Sequence, residues 1–268
     1  LCITSCGVVK KPYVTKVNAK ANLMTKIYFV RHGQASFAED NYDKLSTIGI
    51  AQASLLNEYL ANKHINPDVI ITGSMLRHQE TAEHSLKHLA YGEQTQELLT
   101  VEDARWNEYD HQNILGVYNE ALSTPKKTRE YLSKHPQPMA AFQQHFIAAI
   151  EQWMQSTNNT KSVNNKEIQY SESWEQFTSR ILSALNELTQ TYPDKTVIVY
   201  SSGGPISLIA SQLLGLPLNQ FIHINWSLVN AGITKVITRG KNNNLTLSTL
   251  NEHHILEQQN NKKLITYT

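Results

Sequence analysis

Three short apolar runs rich in β-formers each stop at a polar turn, and this repeated step limits the folds open to the chain. Residues 26–30 (Lys-Ile-Tyr-Phe-Val) run into Arg31-His32-Gly33-Gln34. Residues 68–72 (Asp-Val-Ile-Ile-Thr) run into Gly73-Ser74, with Arg77 just beyond. Residues 196–200 (Thr-Val-Ile-Val-Tyr) run into Ser201-Ser202-Gly203-Gly204-Pro205. Continuous apolar runs of this length read as strands buried on both faces. Helical periodicity fills the intervals. Residues 47–61 carry Ile50, Leu55, Leu56 and Leu60 on one side, with Ser46 as the N-cap. Further helices are expected from Arg77 towards Leu89, over 173–191 and over 206–214. Residues 98–101, 221–225, 232–238 and 245–250 read as additional strands, the last two joined by a hairpin-like connection at 240–244. Strands alternating with helices predict an α/β fold, a three-layer α/β/α sandwich with a mostly parallel central sheet.

The alternation lapses between residues 106 and 170. Helices are expected there at 114–122 and 140–154, and the polar run 156–166 reads as an exposed loop. This region is expected to be a helical cap inserted into one domain spanning 24–268. Residues 1–23 differ from the rest. They hold Lys10, Lys11, Lys16 and Lys20 but no acid, and Ile3, Val8 and Val9 are too scattered for a secretory signal. They are expected to be a disordered leader or tag, with Met24 as the natural start.

Composition narrows the function classes. With 40% hydrophobic and 18% charged residues, the chain can build a core and is not disordered in bulk. The formal net charge of +1 lacks the broad basic field of a nucleic-acid binder. No apolar run approaches the length of a membrane span, so no membrane partner is expected. The two cysteines, Cys2 and Cys6, can neither staple the body of the fold nor form a zinc cluster there. A cytoplasmic, reducing location is expected.

In open α/β sheets, sites form beyond the carboxyl ends of the strands. The three polar turns would bring Arg31, His32, Arg77 and the amides of Ser202-Gly203-Gly204 to one sheet edge. That set suits a phosphate group. Guanidinium forks bind phosphoryl oxygens bidentately, and turn or helix N-terminal N–H groups cradle the rest. A histidine there can attack phosphorus, and the arginines supply charge stabilisation without a metal.

These residues carry a resemblance. Residues 27–36, 45–53, 74–82 (Ser-Met-Leu-Arg-His-Gln-Glu-Thr-Ala), 106–110 (Trp-Asn-Glu-Tyr-Asp) and Gly203-Gly204-Pro205-Ile206 resemble the histidine phosphatase superfamily, the phosphoglycerate mutase-like family. The resemblance covers roughly residues 25–255. It implies that His32 accepts the phosphoryl group as a phosphohistidine, and that Arg31 and Arg77 clamp its oxygens. It implies that Glu108 gives a proton to the leaving oxygen. Gly33 would permit a tight turn, and a backbone carbonyl there would fix the His32 tautomer. Ser202 and Gly203 would complete the phosphate-binding turn, with no metal and no other cofactor. The partner implied is a phosphorylated small molecule or a phosphoprotein.

One position departs from the pattern. The family places a second histidine before Gly-Gly, and this chain has Ser202. A hydroxyl can donate a hydrogen bond but brings no charge, a loss of about 3 kcal/mol in a preorganised site. Ser202→His is therefore expected to raise the rate if the pocket is otherwise intact. The leading expectation is a metal-independent phosphomonoester hydrolase. The alternative is a weakened or inactive phosphate-ligand binding or regulatory protein. A phosphoglycerate mutase is third, because residues 37–43 lack that branch's pattern. Among histidines that could replace the missing one, His111 ranks above His78, whose neighbour Arg77 should point elsewhere on the helix. His223 is expected inside a strand, and His253-His254 at the surface. Tyr109, Tyr118, Phe142 and Trp153 are expected to pack the cap rather than to form a stacking platform.

Overall fold

The computed structural model describes residues 24–36, 43–87, 98–156, 160–163, 166–239 and 244–267. Expectations for residues 1–23, the end of the second helix and the 240–243 turn lie outside them. In chain order, β1 (Lys26–Arg31) leads to α1 (Thr47–Asn62), β2 (Val69–Thr72), α2 (Leu76–Leu86) and β3 (Leu99–Glu102). Next come α3 (His111–Tyr118), α4 (Pro125–Leu132), α5 (Pro138–Met154) and a hairpin of β4 (Thr160–Val163) and β5 (Lys166–Gln169). The chain returns through α6 (Trp174–Thr191), β6 (Thr196–Ser201), α7 (Gly203–Leu214) and α8 (Phe221–Ser227). It closes with β7 (Ile233–Arg239), β8 (Asn244–Glu252) and α9 (His254–Glu257).

The main sheet has the order β3-β2-β6-β1-β7-β8. β3, β2, β6 and β1 are parallel, β7 runs antiparallel to β1, and β8 pairs antiparallel with β7 at the edge. Side chains alternate across a strand, so the apolar runs feed two cores. Tyr28, Val30, Ile70, Ile198 and Tyr200 pack against Leu56 and Leu60 of α1, Ala82 of α2 and Leu256 of α9. Ile27, Phe29, Val69, Ile71, Val197 and Val199 pack against Phe177, Ile181 and Leu188 of α6 and Ile206 of α7. Each such aliphatic side chain contributes about 1.5–3 kcal/mol on burial. Helices thus cover both faces of a mostly parallel sheet, a three-layer α/β/α fold. The second core continues into the segment between β3 and α6 through Trp106, Tyr109, Ile114, Ile150 and Trp153.

The register places the site. Arg31 lies opposite Ser201, and Thr72 opposite Tyr200, so β1, β2 and β6 end in one row. The His32 amide donates to the Ser201 carbonyl (2.9 Å) and the Gly73 amide to the Tyr200 carbonyl (3.1 Å), extending that row one residue past the strands.

Two local expectations are overturned. Residues 221–225 form the start of helix α8, not a strand. Phe-Ile-His-Ile-Asn mimics a period of two, but Phe221, Ile222 and Asn225 are the buried set, which is helical spacing. His223 consequently lies exposed on α8 rather than inside a strand. Within 156–166, residues 160–163 and Lys166 pair in the antiparallel β4–β5 hairpin rather than forming an open loop.

Glycines seat α1 against the turn after β1. A Cβ on Gly33 would stand 2.5 Å from the Gly49 carbonyl oxygen, and one on Gly49 would stand 2.2 Å from the Gln34 carbonyl oxygen. Both obstacles are backbone and cannot swing aside. Gly49→Ala is expected to destabilise the protein by about 1–3 kcal/mol. Urea unfolding reads this as a lower midpoint with an unchanged slope; an unchanged midpoint contradicts the close approach.

Candidate functional site

Arg31, His32, Arg77 and Glu108 line one cavity of about 240 Å³, together with Tyr109, His111, Phe142, Phe146, Asn225, Trp226 and Tyr267. His32 follows β1 directly and is 5% exposed. Its Nδ1 lies 2.7 Å from the Gly33 carbonyl oxygen. A carbonyl only accepts, so Nδ1 carries the proton and Nε2 of the neutral ring keeps a bare lone pair. The Asn230 side chain donates to the His32 carbonyl (3.1 Å), and the Gly33 amide donates to Thr81 Oγ1 (3.0 Å). Burial lowers the His32 pKa well below the usual imidazole value. The charges of Arg77 and Arg31 and nearby His78 add to this, against the raising effect of the Gly33 carbonyl.

The two arginines are held differently. Arg31 Nη1 donates to the Leu228 carbonyl, and Nη2 to the Tyr267 carbonyl at 3.4 Å. Arg77 begins the first turn of α2 and pairs through Nη1 with Asp43 Oδ1 at 2.5 Å. Asp43 also accepts from the Leu76 amide (2.8 Å), so one carboxylate fixes both the helix start and the guanidinium. Arg77 Nε is buried with no hydrogen-bond partner among the described residues.

Glu108 enters from the segment between β3 and α3. Its carboxylate accepts from the Gly204 amide at the N-terminus of α7 (3.2 and 3.1 Å to its two oxygens). Burial pushes its pKa up, against the Gly204 and Tyr109 amides and the charges of Arg77 and Arg31, which act the other way. Gly204 is what allows this contact, since a Cβ there would stand 2.1 Å from Glu108 Oε1. Gly203 in turn lets the Asn225 amide approach, with a Cβ there only 2.2 Å from its Oδ1. Asn225 Nδ2 donates to the Tyr109 hydroxyl (2.8 Å).

Ser202 is fully buried beside the cavity, and its Oγ lies 2.7 Å from His78 Nε2. The His78 ring is itself fully buried, 5.7 Å from the His32 ring, and its Nδ1 has no hydrogen-bond partner among the described residues. Burial, then the charge of Arg77, depresses its pKa well below normal, so it is neutral. An orphaned acceptor is more readily tolerated than an orphaned N–H. The proton therefore belongs on Nε2, which donates to Ser202 and leaves the hydroxyl hydrogen free to donate onward.

Of the two histidines weighed as replacements, His111 lines the cavity, whereas His78 does not and reaches the site through Ser202. Helix neighbours diverge on a long helix, but α2 starts at Leu76, and its first turn abuts the strand ends from which two directions reach the site. Asn225 was missed because α8 was read as a strand. Of the aromatics expected to pack the cap, Trp153 is fully buried, whereas Phe142 and Tyr109 line the cavity. His111 lines it too, and burial lowers its pKa.

The model of the histidine phosphatase superfamily (branch 1) matches residues 27–164 and 137–252. The chain belongs to that superfamily. Its fold is similar to a phosphoglycerate mutase from Bacillus anthracis str. Sterne (16% identity, 90% of this chain and 98% of that one, TM-score 0.55). It is likewise similar to an alpha-ribazole phosphatase from Shigella flexneri (16% identity, 85% and 96%, TM-score 0.55). A mycobacterial glucosyl-3-phosphoglycerate phosphatase in complex with VO3 is a third (20% identity, 85% and 99%, TM-score 0.54). No curated protein matches the chain in sequence.

The contact between Ser202 and His78 adds a steric cost to Ser202→His. His78 already fills the space that an imidazole at position 202 would need. Ser202→His alone is expected to lower the melting temperature by several degrees. Adding His78→Ala is expected to restore most of the loss; a double variant no more stable than the single one contradicts this fit. The two buried neutral imidazoles also set an acid limit. Their folded pKa values lie below the unfolded value near 6.5. The unfolded chain therefore binds more protons below that pH, and stability falls as pH drops. Urea midpoints measured between pH 7.5 and 5 should decline below about 6.5, and less steeply in His78→Gln.

Proposed function

We propose that the protein is a metal-independent phosphomonoester hydrolase acting through a phosphohistidine on His32. One observation carries this reading. The Gly33 carbonyl holds the proton on His32 Nδ1, so the bare Nε2 shares a cavity with Arg31, Arg77 and Glu108. Nε2 attacks phosphorus, and the bond to the ester oxygen breaks. Glu108, whose pKa burial raises, gives its proton to that oxygen in its acid form. Water then attacks the phosphohistidine as the Glu108 carboxylate takes its proton, releasing phosphate and the free His32 ring. Arg31 and Arg77 balance the charge on the equatorial oxygens, the dominant need in phosphoryl transfer. Ser202 and Gly203 are buried at the N-terminus of α7 and do not line the cavity. Ser202 is held there by His78, and in this reading the helix end favours the anion through its dipole.

The pH dependence follows from the two shifts. His32 must be neutral, so activity is lost as pH falls through its lowered pKa. Glu108 must be protonated, so activity is lost as pH rises through its raised pKa. The kcat/KM profile is expected to be bell-shaped with an acidic optimum. Glu108→Gln should lower kcat by about 100-fold or more and abolish the basic limb.

The direct test is steady-state hydrolysis of p-nitrophenyl phosphate in the presence of EDTA. The wild type is expected to turn over and His32→Ala to be inactive. Turnover that persists in His32→Ala removes the phosphohistidine. Phosphate binding with no turnover of any ester favours the binding or regulatory alternative that Ser202 raises.

A further inference from the structure

The cavity around His32 is lined by two chemically different sets of residues. Arg31, Arg77 and Glu108 supply its charged lining, and Phe142, Phe146 and Trp226 supply an aromatic wall. Phe142 and Phe146 are four residues apart on α5 and share a face. Their ring centroids are 5.8 Å apart, and Phe146 lies 5.8 Å from Trp226 of α8. These three rings are only half-buried, unlike Trp153 and Phe177, which pack the interior. Aromatic surface is thus left uncovered along the wall.

Charge and size narrow what fits against it. Among the described lining residues, the only guanidinium or ammonium groups are Arg31 and Arg77, and both belong to the charged lining. A carboxylate or second phosphate on the substrate would meet rings instead of a cation, and burying such a charge unpaired is costly. The volume of about 240 Å³, in a cavity partly open to solvent, has room for a phosphoryl group and one ring against the wall. A cavity of roughly 150 Å³ accepts one benzene ring. The remainder, about three water volumes, accommodates a phosphoryl group.

Building on the phosphomonoesterase reading, we infer that the substrate is a small phosphate monoester. Its leaving group carries one aromatic or similarly flat apolar unit and no second anionic charge, and it is held by Phe142, Phe146 and Trp226.

Non-hydrolysable phosphonates test this apart from the chemistry. In calorimetric titrations of the full chain, benzylphosphonate is expected to bind at least about tenfold more tightly than ethylphosphonate, the effect of one well-packed ring contact. Phosphonoacetate, which adds a carboxylate, should bind no more tightly than ethylphosphonate. Trp226→Ala and Phe146→Ala should each reduce the benzyl preference to less than about threefold, half or less of the ring's contribution on a logarithmic scale. Equal benzyl and ethyl affinities, tightest binding of phosphonoacetate, or a preference that survives both substitutions would overturn the inference. The p-nitrophenyl phosphate assay judges the enzymatic reading separately. Turnover without a benzyl preference removes only the aromatic subsite. A benzyl preference without turnover removes only the hydrolase.

Discussion

The in-register parallel pairing of β1 with β6, and of β6 with β2, decides where everything else in the site can be. Because the three strands end in the same row, the residues that follow them share a few ångströms of sheet edge. His32 attaches to that edge through the Ser201 carbonyl, and Gly73 through the Tyr200 carbonyl. A slip of one residue in β1 would turn Arg31 and His32 to opposite faces and separate them from Arg77. The Gly33–Gly49 approach protects this arrangement from the other side, pressing α1 onto the turn without room for a side chain.

Charged and neutral groups together hold the two arginines. Arg77 has Asp43 as a partner, whereas Arg31 is oriented by the Leu228 and Tyr267 carbonyls. Two imidazoles lie nearby, both driven neutral by burial beside those guanidinium groups. A charged second histidine there would oppose the arginines before any anion arrived. The neutral Ser202–His78 pair avoids that repulsion, at the expense of the extra attraction a cation would give a bound phosphoryl group.

The strand ends and their chemistry were legible because they are local signals. Apolar runs, glycine turns and the Arg-His-Gly and Gly-Gly sequences each need only a few neighbouring residues. What escaped depends on packing between distant segments. His78 lies 124 residues from Ser202, and nothing in either neighbourhood marks the hydrogen bond between them. Helix α8 is only seven residues long and alternates like a strand, so its helical form comes from burying Phe221, Ile222 and Asn225 together. The cavity wall was obscured for a related reason. Phe142 and Trp153 look alike on the sequence, but one faces the cavity and the other is enclosed by Trp174 and Phe177.

The central position of β1 also bears on how the chain acquires its structure during synthesis. Both neighbours of β1 come late: β6 begins about 170 residues after it, and β7 follows β6. At ribosomal rates of about 5–20 residues per second, β1 spends roughly 10–30 s with neither edge paired. Its four-residue apolar stretch, Ile27 to Val30, is then open to mispairing, a hazard for any strand whose partners are non-local. The Arg31 contact with Tyr267 and the Gln52 contacts with Leu264 and Thr266 form later still. A nascent chain halted before residue 264 would hold His32 and both arginines but lack a carbonyl that helps orient Arg31.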